Sequence, residues 1–150
     1  MAQHSSLEPL HRSHERLLEI CDELEAIADG LPDRVPAAQC QVLAGEAVAA
    51  LLQAHESEEQ LLLPMLGDSP RPELRQLAAR LRREHEFDGE TVMEVEEALL
   101  ALAAGQPNLS PDAIGYLLRS FFESLRRHIQ SEQNLLMLLG DLPPDRRSLH

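Results

Sequence analysis

The sequence predicts an all-α fold, an up-down-up-down antiparallel four-helix bundle. Apolar residues recur at steps of three and four, which places them on one face of a helix. Glycine and proline divide these runs into four segments separated by short gaps, as in antiparallel bundles. No segment alternates with the period of two that a half-buried β-strand requires. We expect one domain over residues 1–150, with its core at about 7–140 and helices at about 7–29, 36–66, 72–104 and 111–139.

The first predicted helix combines end signals with an apolar stripe. Ser5 and Glu8 have the spacing of a capping box, and Gly30 follows the periodic run, where glycine commonly ends a helix. Because the stripe should face the core, the histidine within it is predicted to be buried. The stripe consists of Leu7, Leu10, His14, Leu17, Cys21, Leu24 and Ala28.

The second predicted helix has a stripe that contains both a histidine and a glutamate. His55 and Glu59 are four residues apart, so both side chains lie on one face, one turn apart. Pro64 is expected to fray or kink the last turn before Gly67. The stripe consists of Ala44, Val48, Leu52, His55, Glu59, Leu62 and Leu66.

The third and fourth predicted helices begin at serine–proline pairs. Ser69 and Ser110 each precede a proline, the pattern of a helix N-cap followed by proline in the first turn, and Gly105 and Gly140 mark the ends. The third stripe consists of Leu74, Ala78, Leu81, His85, Asp88, Val92, Val95 and Leu99. The fourth consists of Ile114, Leu118, Phe121, Leu125, His128, Glu132, Leu135 and Leu139.

The antiparallel topology brings the ionisable stripe residues to one level of the bundle. At a rise of 1.5 Å per residue, each lies roughly 10–20 Å from the same end. A single histidine in a stripe is more often a core residue than a ligand, but one histidine on each of four helices, with two glutamates in register, favours a metal site. The predicted metal ligands are His14, His55, Glu59, His85, His128 and Glu132.

The ligand types narrow the choice of metal. Four imidazoles and two carboxylates suit iron, manganese or zinc. Two carboxylates without a thiolate favour a di-iron site over structural zinc. Structural zinc usually has four protein ligands that include cysteine and leave no open position. Three neighbouring residues stay open as contributors, namely His11, Glu58 and Asp88.

Composition excludes several classes of function. The net charge is −13 and all 13 basic residues are arginine, so lysine Schiff-base chemistry is excluded. The acidity argues against nucleic acid and anionic membrane surfaces as partners. The chain has no membrane-spanning run and no signal-peptide pattern, and we therefore expect a cytoplasmic protein. Cys21 and Cys40 have no metal-binding or disulfide spacing, and Cys21 is expected to be a core residue.

The ordered ligand set resembles a known family. The order is His14, then segment 55–64 (HESEEQLLLP), then His85 after Arg83 and Glu84, then His128 and Glu132 (HIQSE). It resembles the hemerythrin-like HHE cation-binding domain over about residues 7–140, with Leu63 where that family commonly has phenylalanine or tyrosine. The resemblance implies an up-down bundle with two iron ions, an oxo or hydroxo bridge and an open position for a small ligand. It also implies that the six predicted ligands hold the metal.

One departure from the family bears on function. Oxygen-carrying hemerythrins have a further histidine four residues after the histidine of the third helix, and this chain has Gly89 there. We therefore expect a centre that senses or binds dioxygen, another diatomic molecule or a peroxide, or that handles iron, rather than a reversible oxygen carrier. The alternatives are a di-iron peroxidase or oxidase and a metal-free four-helix interaction module. No catalytic residue beyond the ligands is predicted, and zinc or manganese could occupy the site in a given preparation.

Overall fold

Four long helical elements form the fold in the computed structural model, which describes residues 7–139. Helix α1 spans Glu8–Gly30, α3 spans Pro72–Ala103 and α4 spans Pro111–Leu138. Helix α2 is composite and covers residues 37–67: an α-helix Ala37–Ser57, a π-helical turn Glu58–Leu62 and a short α-helix Leu63–Gly67. No residue of the described range lies in a β-strand, and the predicted all-α bundle is confirmed.

The π-helical turn lies immediately before Pro64. Its wider ring is closed by the backbone N–H of Leu63, which donates to the carbonyl of Glu58 five residues earlier. Proline has no N–H, and in a regular α-helix its ring clashes with the carbonyl four residues before it. The turn changes the helical phase ahead of Pro64, so the chain stays helical instead of fraying. The phase change also brings Leu62, Leu63 and Leu66 into the core.

The predicted end signals have mixed outcomes. Ser110 caps α4, since its hydroxyl accepts a hydrogen bond from the backbone N–H of Ala113 at 3.2 Å. Gly105 follows α3 with a φ of 74°, a conformation that favours glycine. The prediction that Ser69 caps the third helix is wrong: α3 begins at Pro72, and the Ser69 hydroxyl instead accepts from the N–H of Arg71. Ser5 and Gly140 lie outside the described residues.

A polar layer divides the bundle core into two apolar clusters. Each helix has apolar core residues on both sides of its predicted ligands, and the order along the chain is reversed between neighbouring helices. The larger cluster includes Leu17, Ile20, Leu51, Val95 and Phe122, with nineteen further buried residues. The smaller cluster consists of Leu7, Leu10, Leu62, Leu63, Leu66, Ala78, Leu81 and Leu136. The ionisable residues therefore lie at one level within an apolar interior, as the antiparallel topology predicts.

The second predicted stripe is rotated relative to the buried face of α2. Leu52 is 56% exposed and Val48 is only partly buried, whereas Leu51 and Ala54 are fully buried. The buried positions of the α-helical part are Cys40, Leu43, Ala44, Ala47, Ala50, Leu51 and Ala54. Many of these residues are alanines, so the buried face of α2 differs little in hydrophobicity from its neighbouring faces. The predicted stripe is therefore rotated by about one residue relative to the face that is buried.

None of the helices within residues 7–139 has both the length and the apolar character needed to cross a membrane.

Candidate metal centre

Glu58 lies at the middle of the polar layer. Its carboxylate is 4% exposed and contacts histidines from two different helices. Oε2 lies 3.0 Å from Nε2 of His14 on α1, and Oε1 lies 2.5 Å from Nε2 of His85 on α3. Burial alone would raise the pKa of Glu58, but the hydrogen bonds with His14, His85 and Glu132 and the charge of His85 together hold it well below its usual range. One carboxylate thus presents each of its oxygens to a different imidazole.

Glu132 brings a second buried carboxylate against the first. It is 5% exposed, and its Oε1 lies 3.7 Å from Nε2 of His14. Burial, followed by the charge of Glu58, raises the pKa of Glu132 far above its usual value. Suitable ligand atoms of His14, Glu58 and Glu132 all lie within 4.8 Å of one another. Two acidic groups therefore share a space that an added cation would stabilise.

His55 and His85 stack against each other. Their ring centroids are 4.0 Å apart and the ring planes are inclined by 13°. Burial and then the neighbouring His85 lower the pKa of His55 to about 4. The neutral imidazole is the form that binds metal ions. His55 is consequently ready to act as a ligand without first losing a proton at neutral pH.

His128 faces two carboxylates of α3. Its Nδ1 lies 3.2 Å from Oδ2 of the buried Asp88, and its Nε2 lies 3.7 Å from Oε1 of Glu84. The hydrogen bond to Asp88 raises the pKa of His128, although burial opposes the effect. Asp88 and Glu84 thus extend the polar layer to the α3–α4 side of the bundle.

The histidines and carboxylates surround a small cavity of about 20 Å³. This volume is enough for one or two water-sized groups. Its polar lining consists of His55, Glu58, Glu84, His85, Asp88, His128 and Glu132, and leucine and isoleucine residues of all four helices complete the wall. His14 closes the layer from α1 through its contacts with Glu58 and Glu132.

The structure brings five of the six predicted ligands to this layer and places the sixth outside it. The exception is Glu59, whose side chain is 57% exposed and whose Oε1 lies 4.0 Å from Nδ1 of His85. Glu58, which the sequence left as an alternative, occupies the interior position. Glu58 follows the buried Ala54 by four residues and therefore lies on the same face of α2. The buried face of this helix would have pointed to Glu58 in the sequence. His11 does not line the cavity, whereas Asp88 does.

The residues present fit a divalent metal. Imidazole nitrogens and carboxylate oxygens are ligands that iron, manganese and zinc accept. Within residues 7–139 the ion pairs of Glu58 and Glu132 are made with histidines and not with arginine. In the same range Nδ1 of His14 and Nδ1 of His85 are buried without a hydrogen-bond partner. Buried polar groups are rarely left unsatisfied, so protein hydrogen bonds alone do not complete this cluster.

Comparison with known proteins identifies the family. Searches of curated proteins and of solved structures found no match. The family model described as the hemerythrin HHE cation-binding domain matches residues 5–139, which is most of the chain. A family of cation-binding domains and a buried His–Glu–Glu cluster together indicate that the polar layer binds metal. This chain is a member of the hemerythrin HHE cation-binding domain family.

Proposed function

We propose that this protein holds two iron ions in the polar layer and binds or senses dioxygen, a reactive nitrogen species or a peroxide there. The ligands in this proposal are His14, His55, Glu58, His85, His128 and Glu132. Glu58 takes the place that the sequence pattern gave to Glu59. Bound iron would supply redox chemistry and open coordination positions for a small molecule.

The geometry of Glu58 is the main support for two ions. Its two oxygens point to Nε2 atoms on opposite sides, one from α1 and one from α3. Glu58, His14 and His85 would hold the metal, which would replace the hydrogen bonds that now join the carboxylate to the two imidazoles. Six donors also exceed what one ion needs if positions are to stay open for a ligand. The protein's task in this proposal is to hold the donors apart and to exclude water with the two apolar clusters.

Gly89 supports sensing or reaction over reversible carriage. It follows Asp88 on α3, and a Cβ built at this position meets no heavy atom within 4 Å. Position 89 therefore supplies no side-chain nitrogen in this chain, and no packed group occupies the place of a Cβ there. A more open iron exchanges small ligands more readily and oxidises more readily, which suits sensing, reaction with peroxide or iron handling.

A di-iron peroxidase or oxidase is the second candidate. The sequence offers no catalytic group beyond the ligands, but a cleft large enough for an organic substrate adjoins the polar layer. The metal-free interaction module is disfavoured because two adjacent buried acidic groups are energetically costly without a cation, as the raised pKa of Glu132 reflects.

Anaerobic loading with ferrous iron tests the proposal. We expect two irons per chain by elemental analysis after removal of loosely bound metal, and an optical change when dioxygen, nitric oxide or hydrogen peroxide is added. Saturation at one iron would contradict the dinuclear site. Two irons with no spectral response to any of these molecules would contradict the sensing function while leaving metal binding intact. Multiple turnovers with peroxide would favour the enzyme.

A further inference from the structure

A second and larger cavity opens beside the metal centre, between α3 and α4. Its volume is about 400 Å³, and we refer to it as the α3–α4 cleft. Small-molecule sites commonly have volumes of roughly 300–1,000 Å³. Four residues line both this cleft and the small cavity of the polar layer, namely Leu81, Glu84, His128 and Glu132. The cleft therefore leads directly to the candidate ligands His128 and Glu132.

The acidic and histidine side chains of the cleft lie at one end, and most of its leucines lie toward the other. Glu84, His128 and Glu132 lie at the inner end, beside the metal centre. Leu77 on α3 and Leu135 and Leu138 on α4 lie toward the opposite end. The remaining lining residues are Arg80, Leu81, Ser131 and Asn134. Leu77 and Glu84 are seven residues apart, so the cleft extends about 10 Å along α3 at a rise of 1.5 Å per residue. An elongated site with one polar and one apolar end suits an amphipathic molecule.

We infer that the α3–α4 cleft binds a neutral amphipathic molecule, an alkyl chain with a hydroxyl or hydroperoxide head. The alkyl chain would lie along Leu77 and Leu135, and the head would lie between Glu84 and the metal centre. Dioxygen or hydrogen peroxide alone would leave most of a 400 Å³ site unfilled. The choice of a neutral over a cationic head, and the ligand's role as the molecule that reaches the metal, rest on the proposed function. The binding of the alkyl chain to the cleft does not.

Charge at the inner end selects the head group. A carboxylate would be repelled by Glu84 and by the neighbouring Asp88, which are acidic and line the same polar layer. An ammonium would be attracted by these carboxylates but repelled by bound metal ions. A hydroxyl or hydroperoxide oxygen has a proton to donate to Glu84 and a lone pair to direct at the metal. Of the three head groups, only the neutral one is repelled neither by these carboxylates nor by bound metal.

Arg80 is a basic residue of the cleft that would favour a different orientation of an anionic ligand. It lines the cleft on the turn before Glu84, is largely exposed, and lies 3.9 Å from that carboxylate. If the head were anionic, it would pair with Arg80 at the rim instead of reaching His128. The two orientations predict opposite preferences between an alcohol and a carboxylate with the same tail.

Titration with three ligands that share one tail tests the inference. n-Octanol, octanoate and octylammonium are added to metal-free protein, and dissociation constants and binding positions come from NMR chemical shifts. We expect octanol to perturb residues of the cleft and to bind at least tenfold more tightly than octanoate. From butanol to octanol, affinity should rise about fourfold per methylene, as expected for burial of the alkyl chain. Tighter binding of octanoate, or no dependence on tail length, would overturn the assignment.

Zinc loading separates this inference from the proposed metal site. Zinc should weaken octylammonium binding at least tenfold, because two cations would then be close together. If octanol binds the cleft but zinc has no effect on octylammonium, the metal proposal fails and the cleft assignment stands. If zinc binds to the polar layer but octanol does not bind the cleft, the cleft assignment fails and the metal proposal stands.

Two tryptophan variants on α3 provide a matched comparison. Leu77→Trp fills the apolar end of the cleft, while Leu100→Trp adds the same side chain at a partly exposed position outside it. We expect at least a tenfold loss of octanol affinity in the first and no change in the second. Equal affinities in both variants would contradict the location of the tail.

Two further changes keep the test valid if Leu77→Trp does not fold. Leu138 is 85% exposed, so Leu138→Gln should leave the fold intact and weaken octanol severalfold. Deleting residues 140–150 should leave the affinity unchanged. Binding that appears only after this deletion would assign the cleft to the chain's own C-terminal segment and overturn the inference.

Discussion

Nδ1 of His128 lies 3.2 Å from the carboxylate of Asp88, across the interface between α3 and α4. An ionised carboxylate only accepts hydrogen bonds, so Nδ1–H is the donor and Nε2 is left for another partner. Asp88 is itself buried, which holds both groups in place. Histidine ligands of metal sites usually donate their second N–H to such a carboxylate, which fixes the orientation of the ring. Asp88 therefore positions His128 in the proposed metal centre.

Replacement of Asp88 should weaken metal binding without removing a ligand. We expect Asp88→Leu to lower the affinity for zinc or ferrous iron by about 10–100-fold, and Asp88→Asn to lower it less because the amide oxygen still accepts the bond. Competition with a coloured chelator measures the affinity, and ¹⁵N NMR of the metal-free protein reports the tautomer of His128. Glu86→Gln, at an exposed position on the same helix, is the control. If Asp88→Leu keeps both the tautomer and the affinity, Asp88 has no positioning role.

The adjacent glutamates of α2 should respond differently to the same substitution. Glu58→Gln removes the carboxylate that contacts His14 and His85, and we expect more than about a 100-fold loss of metal affinity with disturbance of both ions. Glu59→Gln changes an exposed side chain and should leave the affinity within about threefold. Elemental analysis and metal titration of both variants make the comparison. A larger loss of metal affinity in Glu59→Gln than in Glu58→Gln would support Glu59 as the ligand, as the sequence predicts.

A histidine at position 89 should alter the small-ligand chemistry more than the fold. Because a Cβ at Gly89 has open space, Gly89→His should fold and gain about 0.5 kcal/mol from removal of a helical glycine. In the proposed di-iron centre, an imidazole one turn after His85 would fill an open position on iron. We therefore expect slower autoxidation of protein loaded with ferrous iron. Gly89→Ala has the same backbone effect without the imidazole and is the control. Equal optical kinetics for both variants would show that position 89 does not face the centre.

The two cysteines should be unreactive in the folded protein. Burial raises the pKa of the Cys21 thiol to about 12, and burial also raises that of Cys40. At pH 8 only about one Cys21 thiol in ten thousand would then be ionised, and the thiolate is the form that reacts with alkylating agents. We expect negligible labelling by iodoacetamide at pH 8 in buffer and labelling of both cysteines in denaturant, measured by mass spectrometry. Labelling of native protein at the rate of the denatured chain would mean that the helices around Cys21 open readily.

The candidate site was predictable from the sequence where helical periodicity is strong. His14 follows leucines and precedes Leu17, and Glu132 lies between Ile129 and Leu136, so the patterns on α1 and α4 identify their buried faces clearly. The pattern on α2 does not, because alanine is common on both its buried and its exposed sides. The pattern there predicts Glu59 as a ligand, whereas the structure buries the adjacent Glu58 in the polar layer.

The sequence by itself determined the four helices, their antiparallel order and the level of the bundle that holds four histidines and Glu132. These features follow from the spacing of apolar residues and from glycine and proline, whose effects are local to each segment of the chain. Tertiary structure decided which glutamate of α2 enters that level, since the π-helical turn before Pro64 and packing against α1 and α3 set the rotation of the helix. It also decided the pairing of His128 with Asp88 and the cleft between α3 and α4. Distances between side chains of different helices depend on how closely those helices pack, and no periodicity within one helix contains that information.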